Sequence, residues 1–300
     1  MATYLDRILE HHRSRAEGDG RSIEALCEEA RSASAADPPR GFAAALVEPG
    51  TLSVIAEVKR RSPSKGYLAP HLDAGSLART YRDAGASAVS VLTDAPHFAG
   101  SPTDLVAARS AVSLPLLRKD FTVSANDVAD ARIMGADAVL LIAAALDDKE
   151  LADFDALAAE LGLDALVEVH DEAELERALG CTRGNLIGVN QRDLVTFEVD
   201  QERAARMAAQ IPDAATRVAE SGVRGRGDAR VLADAGYDAV LVGEFLVTAP
   251  AHRRAAAAAA EGAEAVGADV VGADVVGADV VEAGAAVIAE RLTELKVPRR

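Results

Sequence analysis

One motif constrains the fold more than any other feature, and it recurs four times. A polar, helix-like stretch ends in glycine and runs straight into a short apolar segment: DAGASAVSVL (Asp83–Leu92), IMGADAVLLI (Ile133–Ile142), ELGLDALVEV (Glu160–Val169) and DAGYDAVLVG (Asp234–Gly243). Glycine ends a helix readily because it takes the left-handed conformation without a Cβ clash. The apolar runs that follow are too short for helices and do not alternate with polar residues, as parallel strands covered on both faces should not. Four copies of helix, glycine and strand predict a repeated βα unit.

Four more short apolar runs fall between and around the motif: Ser53–Val58, Leu114–Arg118, Leu186–Val189 and Arg217–Ala219. Eight candidate strands, each separated by room for a helix and its loops, predict an α/β chain folded as a single (β/α)8 TIM barrel over residues 51–262. An open doubly wound sheet is the alternative, but the G-x-G-x-x-G fingerprint such sheets carry after their first strand is absent here. Residues 1–50 read as an N-terminal helical extension, with Thr3 as a helix cap and Leu5, Ile8 and Leu9 as an apolar face. VGADV repeats three times between Val266 and Val280. A five-residue period matches neither helix nor strand, so 263–281 reads as a low-complexity insert without a catalytic role. Residues 282–300 read as a C-terminal helix with Val287, Ile288, Leu292 and Leu295 on one face.

Charge and targeting signals narrow the partners. The chain has 48 acidic against 32 basic residues, a formal charge of −16. A field of that sign repels nucleic acid and anionic lipid, so neither is an expected partner. The N-terminus lacks the apolar core of a signal peptide, and the longest apolar run, Ala138–Leu146, is too short to span a bilayer. The expected location is cytoplasmic. Cys27 and Cys181 show neither a disulfide framework nor metal-ligand spacing, and the six histidines show no ligand spacing on a shared element, so no metal and no cofactor are expected. His170 follows strand five, within reach of the site, but reads more readily as a helix-start or surface residue.

Active sites of such barrels lie at the C-terminal strand ends, which makes polar residues there informative. Strand one ends in Glu57-Val58-Lys59, where period-two alternation turns Glu57 and Lys59 inward together. Strand three ends at Lys119-Asp120, strand five carries Glu168, strand six ends at Asn190, strand seven at Glu220-Ser221 and strand eight at Gly243-Glu244. A buried ion is costly unless paired, so Glu57, Lys59, Lys119 and Glu168 are expected to form one compensating cluster. Two lysines facing two carboxylates suit proton transfer in both directions. Gly222 after strand seven and Gly243 after strand eight sit where barrels cradle phosphate on backbone N–H groups. The basic loop KRRSPSKG (Lys59–Gly66) reaches over the same mouth, in a chain whose other lysines are only Lys119, Lys149 and Lys296.

These residues resemble the indole-3-glycerol-phosphate synthase family. The matching segments are IAEVKRRSPSKG (Ile55–Gly66), VLTDAPHFAGS (Val91–Ser101), LLRKDF (Leu116–Phe121), ALVEVHDEAEL (Ala165–Leu175), IGVNQRDL (Ile187–Leu194), VAESGV (Val218–Val223) and LVGEFL (Leu241–Leu246), in order across the whole barrel. The resemblance implies cyclisation of 1-(2-carboxyphenylamino)-1-deoxyribulose 5-phosphate to an indole with loss of carbon dioxide and water, without cofactor or metal. It implies that Lys119 is the general acid toward the ribulose carbonyl. Lys59 holds the substrate carboxylate and is a second acid for the dehydration. Glu168 and Glu57 divide the roles of base and stabiliser of the cationic intermediate, in either order. Ser62, Asn190, Arg192, Glu220 and Ser221 position substrate, Phe98 and Phe121 flank its ring, and Gly222, Gly243 and Glu244 bind phosphate. The expected partner is this small anionic molecule, handled by a monomer, with a pathway enzyme as a possible further partner.

Two positions depart from the family pattern. Gln191 replaces a small or amide residue beside Asn190, and Phe245 stands where a smaller residue is usual, which alters the phosphate end but not its backbone contacts. A phosphoribosylanthranilate isomerase is the rival enzyme; it calls for a Cys/Asp pair at strand ends, and neither cysteine lies at one. A non-catalytic barrel is the rival of another class, opposed by the intact Lys59, Lys119 and Glu168 set. The acidic, lysine-poor surface points to a cytoplasm of high salt, with Lys59, Lys65, Lys119 and Arg192 gathering positive charge at one mouth.

Overall fold

Every expected strand forms. In the computed structural model, which describes residues 3–47, 50–193, 195–248 and 278–299, eight parallel strands close into a barrel: β1 (Ser53–Val58), β2 (Ala88–Leu92), β3 (Leu116–Lys119), β4 (Ala138–Ile142), β5 (Asp164–Val169), β6 (Leu186–Asn190), β7 (Thr216–Glu220) and β8 (Ala239–Val242). Each strand pairs with its neighbours in sequence, and β8 returns to β1 in the register Ser53–Ala239 to Ala56–Val242. A short hairpin pairs Arg61–Ser62 with Gly66–Tyr67 in the loop after β1. Three strands run further than their apolar cores suggested. Lys119, Asn190 and Glu220 are the last residues of β3, β6 and β7, so regular backbone aims these polar side chains.

The motif explains the regularity. Gly85, Gly135, Gly162 and Gly236 all take positive φ, between 79° and 95°, where a Cβ would be strained. Two residues later, three of the four copies carry an aspartate that accepts a backbone N–H from another part of the chain: Asp137 from Leu116 at 2.8 Å, Asp164 from Ala43 at 2.9 Å and Asp238 from Arg217 at 2.8 Å. The repeated Gly-x-Asp thus ends a helix and ties the start of a strand in one stroke.

The described helices are α1 (Tyr4–Glu17), α2 (Ile23–Ala36), α3 (Phe42–Leu46), α4 (Ala74–Asp83), α5 (Ala95–Phe98), α6 (Pro102–Ala111), α7 (Ala125–Ile133), α8 (Asp148–Glu160), α9 (Glu172–Cys181), α10 (Arg203–Met207), α11 (Arg226–Asp234), α12 (Glu244–Val247) and α13 (Ala278–Leu295). The extension contributes α1 to α3. Thr3 caps α1 by accepting from the Asp6 N–H while Asp6 accepts from the Thr3 N–H, a capping box. Leu5 and Ile8 are buried as expected and Leu9 is half-buried, but the third buried residue is His12. Arg13, Arg15 and Arg21 tie the extension to Glu150, Asp127 and Asp130 on the barrel at 2.6–2.8 Å. α13 is described from Ala278, four residues before the expected Glu282, and ends at Leu295 rather than 300; its Ile288, Leu292 and Leu295 are buried while Val287 is half-buried. The VGADV segment up to residue 277, and the expected barrel boundary at 262, lie outside the described residues. No described helix is long and apolar enough to cross a membrane.

Candidate active site

The C-terminal strand ends surround a cavity of about 650 Å³. Glu57, Lys59, Ser62, Phe98, Lys119, Phe121, Glu168, Asn190, Arg192, Glu220, Ser221, Gly222, Gly243 and Glu244 all line it, although they come from seven different strand ends and loops. Neither cysteine does: Cys27 is buried in α2 and Cys181 ends α9.

The charged groups pair in two hydrogen-bonded sets that still act on each other, since Glu57 of one raises the proton affinity of Lys119 in the other. Lys119 Nζ donates to Glu168 Oε2 at 2.7 Å and lies 3.2 Å from Glu220 Oε2. Asn190 Nδ2 donates to Glu168 Oε1 at 3.1 Å. Separately, Lys59 Nζ donates to Glu57 Oε2 at 3.0 Å and stands 5.7 Å from the centre of the Phe98 ring. The buried Tyr81 hydroxyl donates to the Glu57 carbonyl at 3.0 Å and holds that strand end in place. Glu220 therefore belongs with the buried Lys119–Glu168 group, not only among the residues expected to position substrate. The signal for it lies in Gly188, inside β6: a Cβ there would run into the Glu220 carboxylate.

This packing sets the charge states. Burial works against the ionised form of Glu168, but Lys119, His170 and the Asn190 amide outweigh it and hold the carboxyl below its usual range. Glu220 goes the other way. Burial first, and then the neighbouring Glu168 carboxylate, push it well above the carboxylate range despite Lys119. Two carboxyl groups beside one cation thus divide into an anion and a neutral acid. Burial alone would discharge Lys119, yet Glu168, Glu220 and Glu57 raise it above its ordinary value and it stays an ammonium.

His170 overturns an expectation. It does sit at the start of α9, but its ring is turned inward: only 10% of the side chain is exposed, and Nε2 lies 3.4 Å from Glu168 Oε1. Alternation along β5 carries the same inward direction from Glu168 to His170, a signal the apolar count passed over.

At the other end of the cavity, Ser221 and Gly222 both have positive φ, 67° and 76°. Gln191 Nε2 donates to the Ser221 carbonyl and Gln201 Nε2 to the Gly222 carbonyl, each at 2.8 Å. Gln191 thus braces this turn. A Cβ on Gly222 would lie 2.7 Å from Val199 Cγ1. Gly243 has an ordinary φ of −116°, and its lack of a side chain is explained by the Glu57 carboxylate lying against it. Glu244 contributes differently from the sequence expectation. Its carboxylate pairs with Lys65 and stands 3.9 Å from Arg192 Nη2, tying the first loop to the last, and an anion there repels phosphate. Only its backbone N–H, at the start of α12, suits a phosphate contact.

Aromatic rings close the mouth. Phe98 and Phe121 face each other at 6.3 Å, and His12 packs on Phe121 at 5.3 Å. His12 Nε2 lies 2.9 Å and His97 Nδ1 3.2 Å from the same oxygen of Asp94, whose other oxygen accepts the backbone N–H groups of His97 and Phe98. Burial opposes the Asp94 charge, but these partners hold its pKa down at about 2. The ligand atoms of His12, Asp94 and His97 lie within 4.8 Å of one another, a convergence from separate elements that spacing on one element could not reveal. With both ring nitrogens directed at Asp94 Oδ1, it is a hydrogen-bonded clasp fastening α1 to the loop that carries Phe98.

Comparisons with known proteins identify the family. A family model described as Indole-3-glycerol phosphate synthase matches residues 5–258. Proteins named indole-3-glycerol phosphate synthase from Mycobacterium ulcerans and Mycobacterium avium are 51% identical over 259 residues and 50% identical over 256 residues, each alignment covering 85% of this chain and 93% of the relative. The Mycobacterium tuberculosis protein of the same name is 49% identical over 256 residues. Among solved structures, a thiamine phosphate pyrophosphorylase from Pyrococcus furiosus has a similar fold, with a TM-score of 0.51 at 16% identity over 80% of this chain and 96% of that one. By sequence across the whole barrel, the chain belongs to the indole-3-glycerol phosphate synthase family.

Proposed function

We propose that this chain closes the indole ring of 1-(2-carboxyphenylamino)-1-deoxyribulose 5-phosphate, releasing carbon dioxide and water to give indole-3-glycerol phosphate, by lysine and glutamate acid–base chemistry. The observation that carries the assignment of roles is the pairing of each inward lysine with its own carboxylate around one cavity: Lys119 with Glu168 and Glu220, Lys59 with Glu57.

In this reading the substrate's aromatic ring enters between Phe98 and Phe121, and Lys59 beside Phe98 holds its carboxylate. Lys119 protonates the ribulose carbonyl oxygen as the ring carbon that bears the carboxylate attacks the carbonyl carbon. That ring carbon then loses carbon dioxide, and the electrons of the broken bond restore the aromatic ring. Glu57 lies where it can stabilise the cationic intermediate that precedes this loss. For dehydration, Lys59 donates a proton to the departing hydroxyl while Glu168 removes one from the adjacent carbon, which forms the indole double bond. Two protons are donated and one is accepted, so turnover takes up one proton, as loss of carbon dioxide from a carboxylate requires. Glu168 is the better candidate for base because it is held ionised beside the acid, whereas its neighbour Glu220 is held as a neutral acid.

Ser62, Asn190, Arg192 and Ser221 are proposed to position the sugar, with the turn at Gly222 and the backbone at Gly243 and Glu244 taking the phosphate. Every residue given a role lies in one barrel, which makes a monomer the proposed working unit. A cytoplasmic location is in keeping with a small-molecule biosynthetic enzyme. The test is appearance of indole absorbance when purified protein meets this substrate across a range of salt concentrations. Product formation is expected; none at any salt concentration overturns the reading.

A further inference from the structure

We propose that His170, gripped by Glu174, is a positioning residue for Glu168: its imidazole fixes Oε1 of that carboxylate so that Oε2 faces the reacting atoms. The inference rests on the reading of Glu168 as the base. The His170 ring is buried at the end of β5, and its Nε2 makes no hydrogen bond among the described residues. An idle buried ring nitrogen is disfavoured, and such atoms are uncommon in folded proteins.

The ring has little freedom to turn elsewhere. Glu174, in the first turn of α9, accepts the backbone N–H of His170 on Oε2 at 2.8 Å, and His170 Nδ1 lies 3.0 Å from that same oxygen. With Nδ1 engaged on that side, Nε2 is left facing Glu168 Oε1 at 3.4 Å. That is a few tenths of an ångström longer than an ordinary N–H···O bond of about 3.0 Å. Hydrogen bonds of catalytic groups are commonly long before substrate binds and tighten when it does.

Charge gives this contact a purpose that the Asn190 amide on the same oxygen cannot serve. The groups facing His170 are Glu174 from α9, Glu168 from β5 and Glu220 from β7, with Lys119 of β3 as the cation across the site. Burial lowers the affinity of His170 for its proton, but Glu174 and Glu168 outweigh it and hold the ring above the ordinary histidine value. Consider the moment when Lys119 has given its proton to the substrate. Glu168 then faces Glu220 with no ammonium between them, and neighbouring carboxyls share a proton. A proton resting on Glu168 would block the base. A cationic imidazole at Oε1 biases the sharing so that Glu220 keeps the proton and Glu168 stays open to receive the one taken from substrate.

The experiment follows the Glu168 side-chain carboxyl by ¹³C NMR against pH in unliganded wild type, His170→Asn and Glu174→Gln. The midpoint of Glu168 is expected to rise by about one pH unit in H170N, about tenfold in proton affinity, and by less in E174Q. The His170 ring in E174Q is expected to lose its proton at lower pH than in wild type. Glu174 lies outside the cavity lining, so E174Q carries the same readout if H170N does not fold. Shifts of Glu168 below about 0.3 unit in the folded variants, or a His170 ring already neutral at pH 6 in wild type, overturn the proposal. In turnover, H170N is expected to lose about tenfold or more in kcat with KM within about twofold, and the acid limb of its kcat profile to move upward; a merely structural role would lower kcat alike at every pH. The titration needs no substrate, so variants that shift as described beside a wild type that forms no indole contradict the proposed function and not the role of His170.

Discussion

Glu220 offers the sharpest physical test of the site because its expected charge state is counterintuitive. A glutamate three ångströms from a lysine would ordinarily be ionised, yet burial and the Glu168 anion hold Glu220 above the carboxylate range. Glu220→Gln copies the shape and donor capacity of the neutral acid while removing its ability to titrate. The linkage follows from proton counts. Above the unfolded value of about 4.3 the unfolded chain has lost this proton, whereas the folded chain keeps it until the raised folded value is reached. Within that window the wild type loses about 1.4 kcal/mol of stability per pH unit from this one group, a loss that the glutamine variant escapes. Stability contributed by the neutral carboxyl is fully present below the unfolded value and is lost as pH rises toward the folded one. The variant should therefore gain on the wild type by about 1.4 kcal/mol between pH 5 and pH 6, and the gap should keep widening as pH rises. Urea denaturation of both proteins at a series of pH values, at fixed high salt, measures it. A constant difference across the series, or a gap that narrows with rising pH, would show that Glu220 is ionised in the folded protein and refute the division of the two carboxyls into anion and acid.

Other perturbations probe the remaining contacts. Gly243→Ala pushes a methyl group against the Glu57 carboxylate, so it should cost about 1–3 kcal/mol by denaturation and lower kcat/KM by displacing the Lys59 pair; a variant with wild-type stability and turnover would show that the approach of Glu57 to Gly243 is not close. Asp94 has its pKa held down at about 2, so the stability it contributes is present above the unfolded value of about 3.9 and is lost as pH falls through 2. Asp94→Asn should accordingly show a shallower loss of stability between pH 4 and pH 2 than wild type, and an equally steep loss argues against an ionised clasp. With a formal charge of −16, thermal stability is expected to rise steadily from low to molar salt, where the screening length falls to about 3 Å; a maximum at low salt contradicts this.

What could be read from the residues was whatever a local rule controls. The glycine of the repeat marks strand starts because its left-handed backbone acts within a few residues, whereas the aspartate two positions on ties to parts of the chain 21 or more residues away. Glu57 and Lys59 could be placed on one face because alternation acts over two residues, and they do meet at 3.0 Å. What stayed hidden depends on distant parts of the chain. His12 meets Asp94 across 82 positions, and its place among the apolar residues of α1 makes sense only once the loop after β2 is packed against that helix. Glu220 joins Lys119 because Gly188, a glycine in mid-strand, leaves room for it. The inward turn of His170 is the exception, a local signal in the alternation past Glu168, and Glu174 four residues on holds the ring there. The split of the charges into two sets follows from the angular placement of β1 and β3 around the barrel, which no spacing within either strand encodes.

In the proposed reaction Lys119 delivers the proton that drives ring closure. The most direct measurement is kcat for indole formation by Lys119→Ala beside wild type, with circular dichroism confirming that the variant is folded. A loss of about 10²–10⁴-fold at saturating substrate is expected, the range typical of a removed general acid. Turnover within a few-fold of wild type by the folded variant would contradict it and place the acid elsewhere in the cavity.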